Sequence, residues 1–137
     1  MADPGSYLLV IECERSTEIE VGALGSLSFE AGYYGYVGSA FGPGGLSRVD
    51  RHRRVAAGDH DTRHWHVDYL LGAAETELAT VETFPDRDFE CDLATALGEA
   101  GCGRVDGFGA SDCDCPSHLL GPVDRSTLFA VADSFWE

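Results

Sequence analysis

The chain contains no lysine, no asparagine and no glutamine. All nine of its basic residues are therefore arginine, set against 24 acidic ones for a formal net charge of −15. No apolar run approaches the roughly 20 residues that a helix needs to cross a membrane, which excludes a span of that kind. The first residues, Met1-Ala2-Asp3-Pro4, lack the positive charge that begins a secretory signal. A cytoplasmic protein with no membrane partner is expected. Cysteine is odd in number, at five residues. In a reducing compartment that argues against a disulfide framework.

What is present describes a folded domain. A chain of 137 residues suffices for one core and is short for two, so a single domain over residues 1–137 is expected. Apolar residues make up 44% of the chain and recur throughout it, which opposes a disordered reading. The acidic, lysine-free composition resembles that of proteins from salt-loving archaea, where dense carboxylates keep the surface hydrated in concentrated salt. Net negative charge ordinarily argues against a nucleic-acid partner. At molar salt, however, the screening length falls to roughly 3 Å, and only local charge counts. Local charge is skewed: Arg48, Arg51, Arg53 and Arg54 cluster, and Arg63 follows. Of these, Arg51, Arg53, Arg54 and Arg63 are candidate DNA contacts; the alternative is a solvated helix face.

The stretch Gly32–His52 organises the rest. Tyr33–Ser39 is rich in tyrosine and valine and reads as a strand. Gly42-Pro43-Gly44-Gly45 reads as a turn, and a helix is expected from about Leu46. Arg48 and His52 are four residues apart and share one helical face, with Tyr36 feeding the same corner. A guanidinium grips phosphate oxygens in a fork, while a phenol and an imidazole can move protons, so this corner suits a phosphodiester.

Elsewhere, Leu8-Leu9-Val10-Ile11 reads as a strand, with Ile19 and Val21 as its return arm, followed by a loop over Ala23–Glu30. Alternation over His64–Leu71 reads as a strand, with His64, His66 and Asp68 on one face and Trp65, Val67 and Tyr69 on the other. A further strand is expected over Leu78–Phe84. A helix capped by Asp88 should run through Leu93 and Leu97 to about Ala100, with Glu90 near its start. Thr127–Phe135 reads as a last strand, apolar on Leu128, Ala130 and Ala132.

The ordered set Gly5-Ser6-Tyr7, Tyr36-Val37-Gly38 and an Arg-x3-His helix resembles the GIY-YIG nuclease family. Three runs narrow the likeness to its Uri-type branch: Tyr34-x-Tyr36-Val37-Gly38-Ser39-Ala40, His64-Trp65-His66-x-Asp68-Tyr69-Leu70 and Glu90-Cys91-x-Leu93-Ala94. Gly107-Phe108-Gly109-x-Ser111-Asp112-Cys113-x-Cys115-x-Ser117-His118 fits the same branch. The resemblance spans Gly5 to about His118. It implies an α/β (α+β) domain, a small, mainly antiparallel sheet flanked by helices. It also implies a metal-dependent endonuclease hydrolysing DNA phosphodiester bonds, with a role in repair and a DNA glycosylase or other repair protein as partner. Carried over, the catalytic residues are Tyr7, Tyr36, Arg48, His52 and Glu90. Glu90 would hold one Mg²⁺ or Mn²⁺, and His64 and His66 would add phosphate contacts or proton relay. The chain departs from the family in carrying Ser6 where a branched residue is usual. It also has a long interval from Tyr7 to Tyr36, and it lacks the late asparagine that many members carry.

Cys113-x-Cys115-x2-His118 forms a separate candidate, since thiolate and imidazole at short spacing suit Zn²⁺. Cys91 or Cys102 would be the fourth ligand. The alternative is a tight loop lining the active cleft. Two other functions compete with nuclease activity: a nucleic-acid-binding module without cleavage, and a zinc-stabilised scaffold.

Overall fold

The apolar run at the N-terminus becomes β1 (Gly5–Cys13), in which every residue but Glu12 is buried. It is buried on both faces because it lies inside the sheet and helices cover each side. The computed structural model describes residues 4–22, 25–39, 45–58, 66–73, 75–87, 90–100 and 118–135, with the side chains of Ser39, Leu46, Arg48, His66, Glu90 and Cys91 outside that description. Within it follow β2 (Thr17–Glu20), β3 (Ser26–Phe29), β4 (Gly32–Ser39), α1 (Arg48–Ala56) after a 3-10 turn at Gly45–Ser47, and α2 (His66–Leu71). Then come β5 (Thr76–Pro85), α3 (Glu90–Glu99), β6 (Leu119–Val123) and α4 (Arg125–Ser134).

The main sheet has the order β5-β1-β4-β6, antiparallel throughout, and β2 with β3 forms a separate two-stranded ribbon. The α+β architecture expected from the sequence is thus present. Strand alternation sorts β1 into two sets. Tyr7, Leu9, Ile11 and Cys13 join Tyr34 and Tyr36 of β4 on one face, against Val49 and Val55 of α1 and Val67, Leu70 and Leu71 of α2. Leu8 and Val10 join Val37 on the other face, against Leu93 and Leu97 of α3 and Leu128 and Ala132 of α4. Each fully buried leucine contributes about 1.5–3 kcal/mol relative to exposure, so both helix layers are held chiefly by these contacts.

Several sequence expectations are corrected. Ile19 belongs to a strand that pairs with Ser26–Phe29 and not with β1, whose two neighbours are β4 and β5. Gly22 and Gly25 at positive φ close that ribbon locally, with Val21 N–H donating to the Gly25 carbonyl at 2.8 Å. The expected strand over His64–Leu71 is helical from His66 onward; residues 64 and 65 lie outside the described part. Val67, Leu70 and Leu71 are spaced for a helix as well as a strand, and packing against α1 and β5 decides it. His66 and Asp68 therefore do not share a face, because residues two apart on a helix point roughly 200° from each other. The expected last strand is instead α4, in which Leu128 and Ala132 are buried while Ala130 is exposed. β6 is not legible from sequence, since Gly121-Pro122 looks like a breaker; the proline is tolerated because β6 is an edge strand. No helix among the described residues is long and apolar enough to cross a membrane.

Candidate functional site

The register of β1 on β4 places Tyr7 opposite Gly38 and Leu9 opposite Tyr36. A Cβ on Gly38 would fall inside the Tyr7 ring, so the glycine of Tyr36-Val37-Gly38 is the floor on which that ring lies. The phenol thereby reaches α1. Tyr7 Oη lies 2.8 Å from His52 Nε2, in a buried contact. Tyr36 meets the same imidazole edge-on at 6.4 Å between ring centroids, with the Tyr7 ring at 5.5 Å. Val49, His52 and Val55 recur at three-residue steps along α1, so the histidine sits on the helix's buried stripe.

The other side of His52 faces α2. Asp68 is fully buried, and its carboxylate accepts two hydrogen bonds from Arg51, at 3.0 Å from Nη1 and 2.9 Å from Nη2. His52 Nδ1 stands 4.0 Å from Asp68 Oδ1. The structure therefore assembles a row from β1 to α2: Tyr7, His52, Asp68, Arg51. Of these, the sequence assigns a catalytic role to the first two alone. Arg51, an expected DNA contact, is committed to Asp68 and only 14% exposed at its side chain. The signal for Asp68 was there: an acid inside the apolar run Val67–Leu71 can be buried only if paired.

The remaining candidates fall elsewhere. Arg53 and Arg54 are exposed at the end of α1, and Arg53 reaches Asp50 at 3.4 Å. Their position favours the negative end of the helix dipole. Arg48 begins α1, one turn before His52, and His66 begins α2. Glu90 begins α3 three residues after Arg87, whose carbonyl accepts the Ser6 hydroxyl at 2.7 Å. Thus α3 starts at the Tyr7 end of the sheet, although its buried stripe packs on the face opposite α1. Cys91 follows Glu90 in α3, while His64, Arg63, Cys102, Cys113 and Cys115 lie outside the described residues.

His118 is described. It is buried where β6 begins, its carbonyl accepts the Val37 N–H at 2.9 Å, and burial pushes its pKa down from the ordinary value. Among the described residues no group of three or more His, Cys, Asp or Glu side chains converges as for a metal ion. Tyr34 serves as a contrast to Tyr7. Its hydroxyl donates to the Glu30 carbonyl at 2.9 Å, and burial above all pushes its pKa to about 12, as suits a structural phenol. A cavity of about 430 Å³ lies between Arg53, Ala56 and Ala57 and residues 76–81 of β5. That is the far end of β5, since Tyr7 pairs with Thr83 and Cys13 with Thr76. The cavity belongs to a different part of the molecule from the phenol–imidazole pair.

Fold and site together define a small α+β protein with a buried tyrosine–histidine pair backed by an aspartate–arginine pair. The chain belongs to the family described as a domain of unknown function, DUF123, whose model matches residues 6–136. No curated protein and no solved structure matches it significantly.

Proposed function

We propose that this protein is a GIY-YIG-type, Uri-branch endonuclease that hydrolyses DNA phosphodiester bonds with the help of one divalent ion. The observation that carries the reading is the 2.8 Å contact between Tyr7 Oη and His52 Nε2, made by residues of two separate motifs. A phenol ionises near pH 10 in water, so it needs an acceptor to act as a base near neutrality. His52 is placed to be that acceptor. In this mechanism a water attacks phosphorus and gives its proton to Tyr7 Oη as the Tyr7 proton moves to His52 Nε2. The bond from phosphorus to the leaving ester oxygen breaks, and that oxygen takes a proton from solvent. Tyr36 lies edge-on beside the imidazole. Arg48, one turn before His52, neutralises the non-bridging oxygens, and Arg54 follows the flanking backbone.

Glu90 is the residue that would hold Mg²⁺ or Mn²⁺. A single carboxylate suits such an ion, which keeps several waters and shares its coordination with substrate phosphate. When bound, the ion supplies charge neutralisation at the phosphate. We read the protein as a cytoplasmic DNA-repair component of a salt-adapted archaeon, with a glycosylase or other repair protein as partner.

Plasmid and branched duplex substrates with Mg²⁺ in molar KCl provide the test. Wild type should nick them. Tyr7→Phe should lower the rate about 10²–10⁴-fold, and Arg48→Ala and Glu90→Ala should abolish cleavage. Cleavage that survives in all three variants removes this site. Tight binding without cleavage by wild type, across substrates and metals, would make the chain a binding module.

A further inference from the structure

Two arrangements satisfy the contact between Tyr7 and His52. Either the phenol donates to Nε2 and Nδ1 carries the ring proton, or Nε2–H donates to the phenol and Nδ1 presents a lone pair. The neighbour on the Nδ1 side decides between them. Asp68 Oδ1 lies 4.0 Å away, inside a site where Asp68 and His52 are both almost wholly buried. A lone pair facing a carboxylate at that range is repelled, whereas an N–H dipole is attracted, and low local dielectric enlarges the difference. The carboxylate alone would go further and favour the imidazolium, which could accept nothing from Tyr7. Arg51 prevents this: its fork takes both carboxylate oxygens, so the pair as a whole is neutral.

We infer that Asp68, clamped by Arg51, is a positioning residue that fixes His52 in the Nδ1–H tautomer and leaves Nε2 open to the Tyr7 proton. The pair thus orients the imidazole without charging it. The described titratable and charged groups around His52 are Tyr7 from β1, Tyr36 from β4, Asp68 from α2 and Arg51 on its own helix. The functional meaning rests on the nuclease reading above; the tautomer does not.

The test is a long-range ¹H–¹⁵N correlation on the full chain with ¹⁵N-labelled histidine, in molar KCl, with the His52 signals assigned from His52→Gln. In wild type at pH 7.5 the His52 pattern should be that of a neutral ring protonated at Nδ1. An Nε2–H tautomer, or an imidazolium at that pH, overturns the proposal. Asp68→Asn keeps the side-chain shape and an acceptor for Arg51 but removes the negative charge. Its His52 midpoint should fall by about one pH unit, and the Nδ1–H population should decline. An unchanged pattern in a folded Asp68→Asn protein also overturns the proposal, and if that variant does not fold, the wild-type tautomer decides alone. In the cleavage assay the acid limb of the rate–pH profile should move to lower pH in Asp68→Asn, under a reduced plateau. Wild type that shows the expected tautomer yet cleaves no DNA refutes the nuclease reading and leaves the positioning role standing. Cleavage with the wrong tautomer does the reverse.

Discussion

Gly38 shows how much one missing side chain can decide. Its neighbour across the ladder is Tyr7, whose ring occupies the volume a Cβ would need. Gly38→Ala must displace that ring, and overpacking of this kind costs about 1–3 kcal/mol. The same substitution at Gly98, exposed near the end of α3 with its nearest neighbour at 3.8 Å, meets no obstacle. There alanine restrains the unfolded chain and should add about 0.5–1 kcal/mol. Urea titration of the two variants should therefore move the midpoint in opposite directions. Equal midpoints would mean that the Tyr7 ring does not lie over Gly38. This packing also shows what the sequence of Tyr36-Val37-Gly38 does and does not carry. A tyrosine–glycine alternation is visible in the chain, whereas the partner that fills the gap is known only once the register is known.

At the scale of elements, legibility followed redundancy of signal. β1, β4 and β5 are legible because their runs are short, rich in β-branched or aromatic residues and bounded by turn residues. α1 and α3 were readable from spacing. α2 and α4 look like strands in the sequence because Val67–Leu71 and Leu128–Ala132 satisfy periods of both two and three to four. Exposure of Ala130 settles the second case, for a strand would bury it beside Leu128. Leu128→Ala should cost about 2–5 kcal/mol in thermal or urea unfolding. Ala130→Glu should stay within about 0.5 kcal/mol of wild type. Comparable losses at both positions would contradict the helix. The site itself was half legible. Tyr7, Tyr36 and His52 converge as the motif order suggested, whereas Asp68 and Arg51 come from elements whose mutual packing no local pattern reports.

Over the whole molecule, charge is the dominant feature: 24 carboxylate residues against nine arginines. Among the described residues three of those arginines pair with acids: Arg51 with buried Asp68, Arg53 with Asp50 on its own helix, and Arg15 with Glu75. The uncompensated carboxylates repel one another in the folded state, and salt weakens this over distances beyond about 3 Å at 1 M. Thermal stability should therefore rise between 0.1 M and 2 M KCl, each kcal/mol gained raising Tm by about 4 °C. A flat or falling Tm over that range would separate the acidic surface from salt adaptation. The buried Arg51–Asp68 pair is screened far less and should persist at both ends of the range.

The β1–β4 ladder carries one last implication. A slip of one residue would bring Leu8 to the α1 side and send Tyr7 into the opposite core. A mispaired chain would thus lose the Tyr7–His52 contact as well as stability. The pairing acts as a built-in proofreading step, in which the phenol–imidazole contact forms only in molecules whose strands have zipped correctly.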